Sequence, residues 1–353
     1  MEYCNQSILL RLFYIVSALL ANNDLESKIH AGTKVLFNEH FLKEEIFDKD
    51  VGRFYATLFD KRQESDYTDL MEFQRSDVTP YLSKTSEFVT LLKKLSIKLT
   101  KISSLNLNGI RAAQRKGFTD WVSQTDPDYI CLQELRAHEH QIPEQIQELN
   151  YHKTYHTAQK KGYSGVGILS KEEPISVKKG IGVDWIHGEG RVLMAEFDDL
   201  FVCSLYAPSG TTGDERQDLK MEFLDVFLPY ATSYLAKDKS VAFCGDFNIC
   251  HQAIDIHNPT RLKSTSGFLP EERKWVSDFL NEGFKDVYRG RHKSEPDLYS
   301  WWSYRAASKE RNKGWRIDYH LTNPELMECA REAVIQKEWD MSDHAPVTIE
   351  YAI

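Results

Sequence analysis

The sequence predicts an α/β domain preceded by a small all-helical module. Apolar residues recur at helical spacing up to about residue 97, and short strand-like runs then alternate with helical stretches. With 353 residues, of which 41% are hydrophobic and 27% charged, the chain is globular and can bury a sizeable core. We therefore divide it into residues 1–97, a helical module of unknown function, and residues 98–353, the α/β domain.

The helical module carries apolar positions at helical spacing, as in Phe37, Phe41 and Ile46. Its sequence contains neither a glycine-rich loop nor a cluster of metal-ligating residues. Residues 8–21 form an apolar stretch, but Arg11 interrupts it and it is shorter than a bilayer requires. It also lacks the preceding positive charge of a signal peptide. We interpret it as a packed helix and expect a cytoplasmic protein with no membrane partner, associated with the nucleoid if the source is bacterial.

Charge and cysteine content narrow the class of protein further. The net charge of −9 argues against a protein that coats DNA non-specifically, but it allows an enzyme whose acidic residues bind a metal ion. None of the six cysteines forms a Cys-x-x-Cys pair. They are expected to be small buried hydrophobic residues in a reducing compartment.

Eight apolar runs in the second part of the chain have the length and composition of strands. They cover residues 101–107, 129–132, 166–170, 192–197, 201–206, 240–247, 315–321 and 347–351.

The tetrapeptide Gly245-Asp246-Phe247-Asn248 ends one of these runs. Because side chains alternate along a strand, Asp246 and Asn248 are expected to point to the same side. The pair combines a base or metal ligand with a neutral hydrogen-bond donor for an anion. A strand that ends in Gly-Asp is common in structural turns, so the motif needs support from other residues.

Further polar residues stand at the ends of the other predicted strands. They are Asn106, Asn108, Glu134, Tyr206, Asp318, Asp343 and His344. Each alone would be an ordinary solvated or capping residue. Together they predict one polar site at the edge of an apolar scaffold.

In this order, the elements resemble the exodeoxyribonuclease III family of abasic-site endonucleases, within the endonuclease/exonuclease/phosphatase superfamily. The resemblance runs from about Lys101 to the C-terminus and includes residues 136–139, 164–166, 267–273 and 299–304. It implies a four-layer sandwich of two packed β-sheets flanked by helices. It also implies Mg²⁺-dependent hydrolysis of the phosphodiester 5′ to abasic sites in double-stranded DNA, with 3′→5′ exonuclease activity and cleaning of blocked 3′ ends.

The resemblance assigns a metal site and a group that activates water. Glu134 would hold Mg²⁺, for which Mn²⁺ is expected to substitute, with Asn108 and Asp343 near the same ion. Some relatives have Asp where this chain has Asn108, which weakens the case for Asn108 as a direct ligand. Asp246 would orient or deprotonate the attacking water, and Asn106 would orient Asp246 or its neighbours.

Three further residues would contact the phosphate by the same resemblance. Asn248 and Tyr206 would donate hydrogen bonds to it. His344 would contact a non-bridging oxygen as imidazolium, while Asp318 pairs with His344 and raises its pKa.

A separate set would recognise the substrate. Trp301 and Trp315, with Phe268 nearby, resemble the pocket that accepts a deoxyribose without a base, whereas Trp302 is expected in the core. Asn258 matches a family position near the scissile phosphate. Contacts to the DNA backbone are expected from Arg111, Arg115, Lys116, Lys160 and Lys161. Lys309, Arg311 and Lys313 could equally be a solvated charge run.

Two other functions fit the same fold. A catalytically weak nucleic-acid-binding regulator would have lost the catalytic residues, whereas the Gly-Asp-Phe-Asn and Ser-Asp-His motifs are complete here. A superfamily phosphatase for inositol or sphingolipid head groups would share the polar core, but Trp301 and residues 314–316 favour the DNA branch. The sequence identifies no protein partner.

Overall fold

The computed structural model describes residues 16–17, 19–20, 25, 30–42, 53–57 and 98–353. The chain divides into two compact units, Met1–Lys98 and Leu99–Ile353. The boundary predicted from the sequence, between residues 97 and 98, lies one residue before this division.

The described part of the first unit is helical. Helix α1, His30–Phe37, continues into a π-helix at Asn38–Leu42, and residues 53–57 form a further helical turn. Phe37 is buried, and its ring lies 5.7 Å from Phe41 and 4.9 Å from Tyr55. The rest of the predicted helical module, including Ile46 and most of residues 8–21, lies outside the described residues. Among those that are described, no helix is long and apolar enough to cross a membrane.

The second unit is built on two six-stranded mixed sheets. The strands are β1 Leu99–Asn106, β2 Tyr129–Gln133, β3 His152–His156, β4 Val166–Ser170, β5 Ser176–Lys179, β6 Val192–Glu196, β7 Leu200–Tyr206, β8 Ser240–Asp246, β9 Lys285–Asp286, β10 Asp318–Thr322, β11 Ala330–Ile335 and β12 Val347–Ala352. The first sheet has the order β11-β12-β1-β2-β4-β3, and the second has the order β5-β6-β7-β8-β10-β9. One parallel pair lies inside each sheet, β1 with β2 and β7 with β8, and the other pairs are antiparallel.

Helices connect the strands and cover the outer faces of both sheets. They are α2 Ile110–Arg115, α3 Phe118–Thr125, α4 Glu144–Gln147, α5 Asp184–Gly188, α6 Asp214–Thr232, α7 Pro259–Leu262, α8 Pro270–Asn281, α9 Val287–Arg291 and α10 Pro324–Cys329. Short 3₁₀ turns lie at Glu139–Gln141 and Ala253–Asp255.

Three apolar layers hold this unit together. Side chains such as Ile102, Cys131 and Val202 pack between the two sheets. On the outer face of the second sheet, Phe227 of α6 lies within 6.5 Å of several aromatic rings, among them Phe243 and Trp275. A third cluster joins α2 and α3 to the outer face of the first sheet. The predicted four-layer sandwich is therefore confirmed.

The eight predicted strands are the eight interior strands, within a few residues at each end. The exception is the run at 315–321, because the strand begins only at Asp318 and Trp315 forms an isolated bridge. The prediction missed β3, β5, β9 and β11, which are the four edge strands. Edge strands expose one side of their backbone and much of their surface, so they lack a continuous apolar run. β5 is exposed at all four of its residues.

We predict that a protein beginning at residue 98 folds by itself, because both sheets and the three apolar layers are contained in Leu99–Ile353. All seven tryptophans lie after residue 98, so tryptophan fluorescence reports on this unit in the full chain and in the truncated chain. Urea unfolding should give the same cooperative fluorescence transition for both. An insoluble truncated protein, or one without a cooperative transition, would show that the boundary is wrong.

Candidate active site

Polar residues from both sheets meet at one edge of the sandwich. The strands β1, β7 and β8 end at or beside Asn106, Tyr206 and Asp246, and Glu134 directly follows β2. The antiparallel strand β10 begins at this edge, with Asp318 opposite Asp246 in the register. The strand order thus places residues that are distant in sequence next to one another.

Asn106 links one carboxylate of each sheet. Its side-chain amide donates to Glu134 Oε1 at 3.0 Å and to Asp246 Oδ2 at 2.9 Å. Its Oδ1 accepts from the backbone N–H of Asn108 at 3.0 Å. Asn106 is fully buried, so its amide is committed to these partners. It therefore fixes Asp246 and Glu134 relative to each other.

Asp246 and Asn248 interact directly, although not by strand alternation. β8 ends at Asp246, and Asn248 adopts a left-handed backbone with φ 54°. Its backbone N–H donates to Asp246 Oδ1 at 2.8 Å, and its side-chain amide donates to the carbonyl of Ala207 at 2.9 Å. The predicted proximity of the two side chains is present, but a tight turn produces it.

Asp246 has an unusual proton affinity. Burial raises the pKa of its carboxyl to about 7, and the positive charge of His344 opposes this shift. A carboxylate with a pKa near neutrality is suited to accept a proton from water.

His344 is held as a charged donor. Its Nδ1 lies 2.9 Å from Asp318 Oδ2, and its Nε2 lies 3.8 Å from Asp246 Oδ2. Burial disfavours the imidazolium, but the charge of Asp318 and its hydrogen bond outweigh this and raise the pKa of His344 to about 10. Ser300 Oγ donates to the same Asp318 oxygen at 2.6 Å and holds that carboxylate in place.

Donor atoms of Asp246, Asp318 and His344 lie within 4.8 Å of one another, close enough to hold a metal ion. A charged imidazole has no free lone pair for a metal, so His344 is the weakest member of this group. Asp318 Oδ1 is buried without a hydrogen-bond partner among the described residues. Buried carboxylate oxygens with an open acceptor suit a hard cation such as Mg²⁺.

The predicted metal residues lie beside this group. Asp343 accepts from the Asn108 side chain at 2.8 Å and from Trp301 Nε1 at 3.0 Å. Burial works against its ionised form, but the charge of His344 and these hydrogen bonds prevail and lower the pKa of Asp343. Glu134 Oε2 accepts from Arg136 Nε at 2.7 Å. The structure therefore brings Glu134, Asn108 and Asp343 to the same edge, with Arg136 as an additional cation.

Tyr206 lies next to Glu134 at the end of β7. Burial and the nearby Glu134 raise the pKa of its hydroxyl well above the ordinary value, so the hydroxyl remains a donor. Arg191 lies over the Tyr206 ring at 4.9 Å and donates to its backbone carbonyl at 2.9 Å. Sequence reasoning missed Arg191, which is buried although arginine is usually exposed.

An aromatic wall stands beside the carboxylates. The rings of Trp301 and Trp315 meet edge to face, with centroids 5.9 Å apart. Both pack against a small cluster that contains the buried Phe268. Trp302 is buried in the core between the sheets, as predicted. The bond from Trp301 Nε1 to Asp343 connects this wall to the polar site.

The remaining predicted residues lie in a helix cap and at exposed positions. Asn258 caps helix α7, where its side chain accepts from the backbone N–H of Arg261 at 3.3 Å. Arg111, Arg115, Lys116, Lys160 and Lys161 are all exposed. Among Lys309, Arg311 and Lys313, Lys309 forms an ion pair with Asp340, which gives that lysine a structural partner.

Comparison with known proteins agrees with this geometry. The model of the endonuclease/exonuclease/phosphatase family matches residues 103–344, and a HEPN domain model matches residues 8–95, where the sequence analysis recognised no family. An exodeoxyribonuclease of Bacillus subtilis (strain 168) is 41% identical over 250 residues, which cover 70% of this chain and 98% of that protein. The DNA repair nuclease APEX1 of Danio rerio is 37% identical, over 72% of this chain and 82% of its own length.

Among solved structures, an AP endonuclease from Archaeoglobus fulgidus superposes with a TM-score of 0.67 at 29% identity, over 72% of this chain and 100% of that one. The chain thus belongs to the endonuclease/exonuclease/phosphatase family. Within it, the chain falls in the exodeoxyribonuclease III branch of abasic-site endonucleases, and it is a nuclease hydrolase.

Replacing Asp318 by Asn should lower the pKa of His344, because the substitution removes the negative charge that stabilises the imidazolium. NMR titration of the His344 ring in metal-free protein measures this directly, and the alkaline limb of the rate profile should move to lower pH. Ser300→Ala is the matched control, since it removes a hydrogen bond to Asp318 but keeps the charge. An unchanged titration in Asp318→Asn would show that the two side chains do not interact.

Proposed function

We propose that this protein is a Mg²⁺-dependent DNA repair nuclease that hydrolyses the phosphodiester 5′ to abasic sites. In the same proposal it acts as a 3′→5′ exonuclease and removes blocking groups from 3′ ends of duplex DNA. The observation that carries the proposal is the network in which Asn106 joins Asp246 and Glu134, with the charged His344 beside Asp246. This network places a base next to a hydrogen-bond donor for the phosphate.

The chemistry follows from the charges of these groups. Asp246, with a pKa of about 7, would take a proton from the attacking water. His344, Asn248 and Tyr206 would donate to the phosphate oxygens as negative charge develops on them. Glu134 and Asp343, with Asn108 beside them, would hold Mg²⁺, and that ion would neutralise charge on the phosphate and the leaving oxygen.

The aromatic wall supports the choice of an abasic sugar as substrate. A deoxyribose without a base is small and presents apolar edges, which the half-buried rings of Trp301 and Trp315 can contact, with Phe268 packed behind them. In this proposal, a nucleotide that keeps its base is too large to make the same contacts. The exposed Arg111, Arg115, Lys116, Lys160 and Lys161 would contact DNA phosphates without reading sequence.

The alternatives have less support. A catalytically weak nucleic-acid-binding regulator would not need a carboxylate and an imidazolium buried side by side. Burying Asp246 and His344 costs free energy, which a catalytic role would explain. A phosphatase for lipid head groups would not need an aromatic wall hydrogen-bonded to a site carboxylate, as Trp301 is to Asp343. Incision of a duplex with one abasic site, with Mg²⁺ and with EDTA, tests the proposal. An intact duplex in the presence of Mg²⁺ would overturn it.

Asp246→Asn should lower the turnover of abasic-site incision by roughly 10²–10⁴-fold, because the amide cannot accept a proton from water. DNA affinity, measured by fluorescence anisotropy, should stay nearly unchanged. Asp225→Asn, at an exposed position of α6, is a matched control that should keep full turnover. Wild-type rates in Asp246→Asn would refute the role of Asp246 as the base.

Glu134→Gln should raise the Mg²⁺ concentration needed for half-maximal incision by roughly ten-fold or more, since it replaces a charged ligand by a neutral amide. Calorimetric titration with Mg²⁺ provides a readout that does not depend on activity. Glu271→Gln, at an exposed position of α8, serves as the control. Undiminished activity of Glu134→Gln at low Mg²⁺ would exclude Glu134 as a ligand.

A further inference from the structure

A buried ion pair lies directly behind the candidate active site. Lys220 of α6 is fully buried, and its Nζ donates to the backbone carbonyl of Asn248 at 2.9 Å and to Glu272 Oε1 at 2.5 Å. Glu272, near the start of α8, is also fully buried. Burying a lysine and a glutamate costs free energy even when they are paired, so this position needs an explanation beyond packing.

Glu272 is the centre of a dense set of hydrogen bonds. Its Oε2 accepts from the backbone N–H groups of Gly267 at 2.6 Å and Leu269 at 2.9 Å. Its Oε1 accepts from Gln217 Nε2 at 3.1 Å, in addition to Lys220, and the Ser266 hydroxyl donates to Gln217 Oε1 at 2.7 Å. One carboxylate therefore fixes the whole segment of residues 266–269.

That segment forms the back of the aromatic wall. It carries Phe268, which belongs to the cluster against which Trp301 and Trp315 pack. Gly267 has φ +95°, and a Cβ atom there would lie 2.8 Å from the Trp315 ring and 3.0 Å from the carbonyl oxygen of Asn248. The absence of a side chain at Gly267 thus lets this segment approach Asn248 and the Trp315 ring closely.

The geometry points to Lys220 and Glu272 as a positioning pair that sets Asn248 relative to the wall of Phe268 and Trp315. Lys220 holds the carbonyl of Asn248, Glu272 holds the 266–269 segment, and their mutual bond fixes the spacing. A substrate that rests its sugar on the wall would then present its phosphate to the Asn248 amide. The inference rests on the proposed function, because it links sugar binding to phosphate binding.

Buried ion pairs are not in general more stabilising than apolar residues of similar size. If the pair served only folding stability, hydrophobic residues of similar size could therefore replace it without lowering the free energy of unfolding. If the pair positions the site, such a replacement would lower activity, because both charged groups also form hydrogen bonds with backbone atoms of the site. Sequence reasoning missed it, since Lys220 and Glu272 stand 28 and 24 residues from Asn248 and follow no short motif.

Lys220→Met tests the inference, because it keeps an unbranched apolar chain of nearly the same length and removes the ammonium group. The kcat for abasic-site incision should fall about 10- to 100-fold, as expected for a displaced binding group, while KM for the duplex changes less than about three-fold. In an Asn248→Ala background the same substitution should reduce kcat by less than about three-fold, because its effect passes through Asn248. Multiplicative losses in the double variant would overturn the inference.

Two further variants distinguish a loss of positioning, which lowers kcat, from a loss of folding stability. Leu224→Ala, a buried position of the same helix α6, should lower the free energy of unfolding but leave kcat unchanged at a temperature where the protein is folded. Glu272→Gln keeps the shape of the side chain and removes its charge, and it replaces Lys220→Met if that variant is insoluble. It should show the same loss of kcat and the same dependence on Asn248. Wild-type kcat in Glu272→Gln or Lys220→Met would also overturn the inference.

Assays of the wild-type protein distinguish the proposed abasic-site function from the proposed positioning pair. If it digests recessed 3′ ends but leaves abasic duplexes intact, the proposed abasic-site function is wrong. The same cycle of Lys220 and Asn248 variants is then measured on 3′-end digestion. Non-multiplicative losses there would support the positioning pair for phosphate binding, and multiplicative losses would refute it.

Discussion

The site depends on keeping several buried carboxylates together at one edge of the sandwich. Glu134, Asp246 and Asp318 are each buried, and every ionised member loses hydration and repels the others. Asn106 offsets part of this cost by donating to Glu134 and Asp246 at once, and the imidazolium of His344 offsets more. The left-handed backbone at Glu134, with φ 49°, is a further cost that the surrounding sheets sustain.

The sequence predicted the parts of the fold that are buried on both faces. Interior strands appear as continuous apolar runs, and the polar residues that end them lie at a common edge because strand order brings those ends together. Edge strands such as β5 are exposed and carry no such signal. The helical module before residue 98 shows only periodicity, which many families share, so the match of residues 8–95 to a HEPN domain could not be predicted from it.

The residues that support the site were harder to predict than the residues that form it. Asp246 and His344 stand in short motifs, whereas Arg191 and Lys220 reach the site through contacts between distant elements. No local pattern marks a lysine or arginine as buried. Only the packing of α6 and the turn before β6 against the strand ends reveals that these two cations hold the backbone of Tyr206 and Asn248.

The two perturbed groups at the centre have opposite effects on stability. The pKa of Asp246 rises from 3.8 to about 7, so ionising it above its ordinary pKa costs folding free energy, and this cost is complete only above about pH 7. The pKa of His344 rises from 6.5 to about 10, so its contribution to stability is fully present below pH 6.5 and is lost as the pH rises through about 10. Between about pH 7 and about pH 10, Asp246 is ionised while His344 is still charged. The imidazolium of His344 is therefore the charge that makes a buried, ionised carboxylate tolerable at Asp246.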